Sequence, residues 1–209
     1  MSRDSTQRAL HAVEKSLYST HKSRITNHAF VAAAALLLLS AAPPAGAGEA
    51  EWKLLHDQAA AYLQRGNFDQ AELLARQALN EAETSLGPDH RATEASLSTL
   101  SLALRLGGKP AEALPAAQRL VVIRTKQYGP EDPATAIALH NNAEILIAQN
   151  RFVEAEQLQL RALAVFEKKM GASHANTATG LHNMGAILLK QEKYSEAEKY
   201  LRRDRKSVV

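Results

Sequence analysis

Cysteine is absent from all 209 residues, which excludes disulfides, thiolate metal sites and cysteine nucleophiles. Aromatic residues supply only 5% of the chain, and no Lys/Arg stripe interleaved with them appears, so nothing supports nucleic-acid binding. No segment alternates apolar and polar residues with period two, which removes a sheet from consideration. There is no His-Glu-x-x-His and no paired-carboxylate motif. Gly107-Gly108-Lys109-Pro110 lacks the spacing and the preceding strand of a phosphate loop. No serine or histidine is set on a strained turn or beside an oriented base. The expectation is therefore a non-enzymatic protein without metal or cofactor.

Long apolar runs are scarce too, and the one present is informative. Ala29 to Ala42 is nearly continuous, follows Arg3, Arg8, Lys15, Lys22 and Arg24, and leads into Pro43-Pro44-Ala45-Gly46-Ala47. A basic n-region (1–28), an h-region (29–42) and an Ala-x-Ala site in that order read as a secretory signal cleaved after Ala47. The run falls short of the ~20 apolar residues of a membrane span. Membrane contact is expected only through this segment, as an inner-membrane anchor if it stays uncleaved. From its long n-region the true start is expected at a non-Met codon downstream of Met1. The chain has 25 basic and 22 acidic residues, and removing this segment leaves 20 of each. The basic character thus belongs to the targeting segment, and the remainder is expected to be exported, periplasmic or secreted.

What fills residues 48–203 is a repeat. Leucine recurs every 42 residues at Leu55, Leu97, Leu139 and Leu181, and four places later stand Ala59, Ser101, Ala143 and Gly185. Alanine recurs at Ala71, Ala113, Ala155 and Ala197, and glycine between units at Gly87, Gly129 and Gly171. Several independent columns sharing one period predict stacked units of about 51–87, 88–129, 130–171 and 172–203. Apolar residues fall at helical spacing in two runs per unit. The runs are separated by Gly66-Asn67, Gly108-Lys109, Asn150-Arg151 and Glu192-Lys193. Asp132 is placed to cap a helix that opens with Pro133, and His90 and His174 lie in the turns, where local capping is expected. The fold class is all-α, with the small residues letting the two helices of a pair approach closely.

Phe68-Asp69-Gln70-Ala71-Glu72, Phe152-Val153-Glu154-Ala155-Glu156 and Tyr194-Ser195-Glu196-Ala197-Glu198 resemble the second-helix signature of tetratricopeptide repeats. The usual repeat is about 34 residues. The longer period, with Leu86-Gly87-Pro88-Asp89-His90 and Tyr128-Gly129-Pro130-Glu131-Asp132, is similar to the subclass found in kinesin light chains and many bacterial proteins. Leu181-His182-Asn183-Met184-Gly185 resembles that subclass's first-helix core. HEAT or armadillo stacks are the structural alternative. The resemblance covers roughly Glu51 to Arg203 and implies a right-handed α-solenoid of about four helix-turn-helix repeats. Asn142 departs from it where an apolar residue is usual. Pro110 replaces the aromatic, and Pro115 is expected to bend its helix mildly.

The resemblance further implies that first helices line a concave groove. Along it His56-Asp57, Ser98-Thr99, His140-Asn141 and His182-Asn183 form a polar ladder, with Arg105, Glu144 and Lys190 a turn or more beyond. Asn141 and Asn183 lead, because an amide offers both donor and acceptor to a peptide backbone. The bland alternative is a solvated, unoccupied face. His56, His140 and His182 lie on separate units, too far apart to share one zinc with bonds near ~2 Å. From Asp204 the pattern is lost: residues 204–209 back-translate into a common sequencing adapter, so they read as a non-native tail after Arg203. The expected function is a protein- or peptide-binding scaffold. Its alternatives are the sensor part of a larger peptidase-like or signalling enzyme, and a repeat protein that self-associates through an uncapped last unit.

Overall fold

The computed structural model describes residues 46–207. The expected n-region and h-region, and Val208 and Val209, lie outside them. Eight α-helices form four antiparallel pairs: α1 (Ala47–Gln64) with α2 (Phe68–Glu81), α3 (Arg91–Leu106) with α4 (Pro110–Tyr128), α5 (Pro133–Ala148) with α6 (Phe152–Lys169), and α7 (Ala175–Lys190) with α8 (Tyr194–Ser207). One π-turn, Ala82–Leu86, extends α2. Among the described residues there is no strand, and no helix is long and apolar enough to cross a membrane.

Helix starts and stops follow from local chemistry. Asp132 accepts from the Ala134 amide at 2.7 Å, and His90 and His174 accept through Nδ1 from Ala92 and Asn176 at 3.2 and 3.1 Å. One residue type is fixed just beyond each cap. The hydroxyls of Thr93, Thr135 and Thr177, all fully buried, donate to the carbonyls of Gly87, Gly129 and Gly171 at 2.7–2.8 Å. Each inter-unit turn is thereby tied to the helix that follows it. Aromatic Phe68, Phe152 and Tyr194 open α2, α6 and α8, and Pro110 opens α4. Helix α4 continues through Pro115 to Tyr128.

The pairs close where the small residues stand. Ala59, Ala143, Ala71, Ala113, Ala155 and Ala197 are fully buried, and Ser101 nearly so. Gly185 shows why size matters there: an added Cβ would lie 2.5 Å from Leu201 Cδ2 and 2.6 Å from its Cγ. The apolar core then crosses unit boundaries. Leu97 and Leu120 share one cluster with Ile145, and Leu146 shares another with Ile187. Neighbouring first helices touch directly along the stack, whereas neighbouring second helices make no backbone-level approach. The array therefore has a continuous first-helix layer and a spaced second-helix layer.

The first helix starts at Ala47, and α8 runs past Arg203 to Ser207. Helix-compatible Arg205 and Lys206 extend it, and the Asp204 carboxylate lies 3.6 Å from His182 Nδ1.

The turn within each pair places one residue in the left-handed region, with φ of 73° and 77° at Gly66 and Gly108 but 59° and 62° at Asn150 and Glu192. Each is followed by a bond back into the first helix, such as Lys193 N–H to Leu188 carbonyl at 2.9 Å. Glutamate carries a Cβ penalty there that asparagine partly escapes. Glu192→Gly is expected to stabilise the protein by about 0.5–1 kcal/mol, after the entropy cost of glycine. Thermal unfolding checks this, and a lowered Tm would mean that Glu192 is not strained.

Candidate functional site

The first-helix layer brings part of the predicted ladder together. Arg105 on α3 pairs with Glu144 on α5 at 3.0 Å, and Asn183 Nδ2 on α7 donates to the same carboxylate at 3.4 Å. Three successive first helices are thus linked through Glu144. Asn141, partly exposed, stands beside this network and lines a small depression with Ser101, Leu102, Arg105 and Ile145. Its side-chain amide makes no hydrogen bond among the described residues. Thr99 is partly exposed at the matching position of α3.

Two members of the histidine column, His140 and His182, turn towards the second helices instead. His140 Nδ1 lies 2.9 Å from Gln159 Oε1, and its ring meets Phe166 edge-on with centroids 6.0 Å apart. Gln159 is fully buried and donates through Nε2 to the Gly180 carbonyl at 3.4 Å. Its Oε1 must then accept, so His140 Nδ1–H is the donor in this contact. His140 Nε2 faces Glu144 at 3.7 Å. His182, mostly exposed, contacts Asp204 of its own pair.

The remaining predicted residues are scattered. Ser98 contributes only its carbonyl, which accepts from Ser101 Oγ at 3.0 Å. Asp57 pairs with Lys53 at 2.7 Å in solvent, and Lys190 is exposed at the last turn of α7. His56 stacks on Trp52 with centroids 5.2 Å apart, and its Nδ1 is buried without a partner. Among the described residues no three His, Asp or Glu side chains are grouped to hold a metal ion.

Sequence reading missed two features at breaks in an otherwise small column, and marked a third break, Asn142, only as a departure from the repeat. Trp52, whose indole donates to Ser96 Oγ on α3 at 2.8 Å, and Glu94 both stand where Ala136 and Ala178 occur in later units. Glu94 is buried against Arg124 Nε at 3.2 Å and the Tyr128 hydroxyl at 3.2 Å. Burial first, and Glu94 second, push the Tyr128 pKa up. Arg124 also donates to the Ala134 carbonyl at 3.1 Å, locking unit two to unit three. Asn142 is the third break, and it lies on the floor of a cleft between α4 and α6.

A sequence profile of the tetratricopeptide repeat matches residues 52–126, 108–168 and 134–203. The chain belongs to the tetratricopeptide repeat family. Solved structures with the same fold include a Podosopora anserina protein described as a kinesin light chain with nearly identical TPR-like repeats. It has TM-score 0.67 and 23% identity, over 73% of this chain and 72% of that one. BtubC (BKLC) from P. vanneervenii gives TM-score 0.61 at 24% identity, over 70% of this chain and 57% of that one. A Rap protein complexed with Competence and Sporulation Factor gives 0.64 at 19%, over 75% and 42%. No curated protein matches the chain.

Within this tetratricopeptide array, His56 is a pH-sensitive contact. Burial holds its imidazole pKa below 6.5, opposed by Asp57 and assisted by Lys53. As pH falls through 6.5 the unfolded chain takes up the proton first. The contribution of His56 to stability is therefore present above that value and lost as pH falls through its lowered folded pKa. Urea unfolding at about pH 7.5 and about pH 5.5 is expected to show a larger loss for the natural chain than for His56→Gln. Equal losses would mean that the ring is not buried.

Proposed function

We propose that this tetratricopeptide array is a non-enzymatic binding module that holds an extended protein or peptide segment along its first-helix layer. The observation that carries the reading is the continuity of that layer. Thr99, Asn141 and Asn183 recur at one position on three touching helices, and the Asn141 amide is unengaged. Each amide offers a donor and an acceptor, the pair that a peptide backbone needs. Arg105, Glu144 and Lys190 supply charge around the amides and hence side-chain preference. The Glu144 network already fixes Asn183, so little side-chain entropy is lost on binding. One protein of similar fold was solved in complex with Competence and Sporulation Factor, which supports a ligand-holding role for such an array.

Selection of a displayed random peptide library on the purified chain tests this. The expected result is enriched sequences whose affinity is abolished by Asn141→Ala combined with Asn183→Ala, with circular dichroism unchanged. Undiminished affinity in the double variant would place the site elsewhere.

We also propose export, on the strength of the basic and apolar segments of residues 1–47. N-terminal sequencing of the expressed protein is expected to begin at Gly48. An intact leader on protein recovered from the cytoplasm would contradict it.

A further inference from the structure

The second-helix layer has an interruption at its middle junction. Between α2 and α4, Arg76 pairs with Glu112 at 3.1 Å and Arg119 with Glu83. Between α6 and α8, Arg203 pairs with Glu167. Moving 42 residues along from the first junction puts Gln118 in the place of Arg76 and Thr125 in the place of Glu83. Their opposite numbers on α6, Glu154 and Arg161, therefore lose their cross-helix partners. Glu154 turns to Arg151 at 2.7 Å, whose guanidinium holds its carboxyl below the ordinary range. Arg161 is exposed and has no carboxylate partner among the described residues. Among the described residues no side-chain bond laces α4 to α6 along their length, and Lys168 reaches only Glu131 in the turn after α4.

A cleft of about 340 Å³ opens there, walled by Gln118 and Val122 on α4 and by Gln157, Arg161 and the Arg151-paired Glu154 on α6. Its floor is Asn142 on α5. That side chain is only 5% exposed, and its Oδ1 is buried with no hydrogen-bond partner. The matching positions in the neighbouring units hold buried Leu100 and Met184, which leave no polar group to satisfy. A buried amide without a partner, below an arginine without a carboxylate, is a complementary pair of vacant hydrogen-bonding groups.

We propose that this cleft is a second binding site and takes an acidic side chain from an extended segment of a protein partner. The carboxylate pairs with Arg161 in the place that Glu83 and Glu167 occupy at the other junctions. The partner's peptide amides meet Asn142, Gln118 and Gln157, and Val122 covers the aliphatic stem. The site stands independently of the first-helix reading, because it uses none of those residues.

The test is a titration of the 15N-labelled chain with an acetylated, amidated pentapeptide carrying a central glutamate between leucines, followed by NMR. Saturable shifts are expected at the Asn142 side-chain amide and the Arg161 Nε–H. Replacing the peptide's glutamate by glutamine is expected to weaken binding at least about tenfold, the loss of a charge-assisted pair. Thr125→Glu, which restores the internal pair, is expected to do the same with the rest of the spectrum unchanged. Asn141→Ala with Asn183→Ala is expected to leave these shifts intact, so failure of the first-helix site and of the cleft can be told apart. Silence of both resonances to millimolar peptide would overturn the proposal, as would an affinity insensitive to Thr125→Glu. Equal binding of acetate would also overturn it, by reducing the site to one for a simple anion.

Discussion

The close approach of two helices at one small-residue position is the constraint from which the rest of the array follows. With Ala59, Ser101, Ala143 and Gly185 facing the second helices, backbones come near enough for Leu97, Leu139, Leu181 and their neighbours to be sealed from water. Burial of that kind is the main favourable term in folding, at roughly 25 cal/mol per Å² of apolar surface. A single pair cannot complete it, since each leaves an apolar face for the next unit to cover. The period of 42 residues is therefore a packing requirement written into the chain. Threonine hydroxyls bound to the glycine carbonyls of the inter-unit turns keep successive units in register.

That packing also decides which polar side chains share one surface. First helices touch one another, so polar residues pointing away from the core form one surface across units, with Glu144 joining α3, α5 and α7. Second helices are held by long charged side chains instead, and exposed pairs of that sort contribute little each. Such a layer tolerates the loss of a pair without collapse. At the α4–α6 junction the chain has given up both, leaving the Asn142 cleft and an arginine in want of a carboxylate.

The fold was legible because it depends on many residues obeying one period. Leucine, alanine and glycine columns announced the units, and Asp132, His90 and His174 announced helix starts that the structure confirms by their hydrogen bonds. The repeat pattern ends at Arg203 while α8 continues to Ser207, because loss of the pattern at Asp204 is not loss of helix propensity. The candidate site was only partly legible. Spacing places a residue on a helix face to within a turn, but does not say which neighbour its side chain chooses. His140 and His182 turn to α6 and α8 because Gln159 and Asp204, distant in sequence, offer them partners. Glu94, Trp52 and Asn142 depart from their columns, and that departure is a visible signal whose meaning only the packing supplies.

The most direct test of the central claim is a crystal structure of the array with a library-selected peptide bound. The account predicts an extended chain along α3, α5 and α7, with its backbone amides hydrogen-bonded to the side chains of Asn141 and Asn183. A peptide seated wholly on the second-helix layer, with both asparagines still in water, would contradict it.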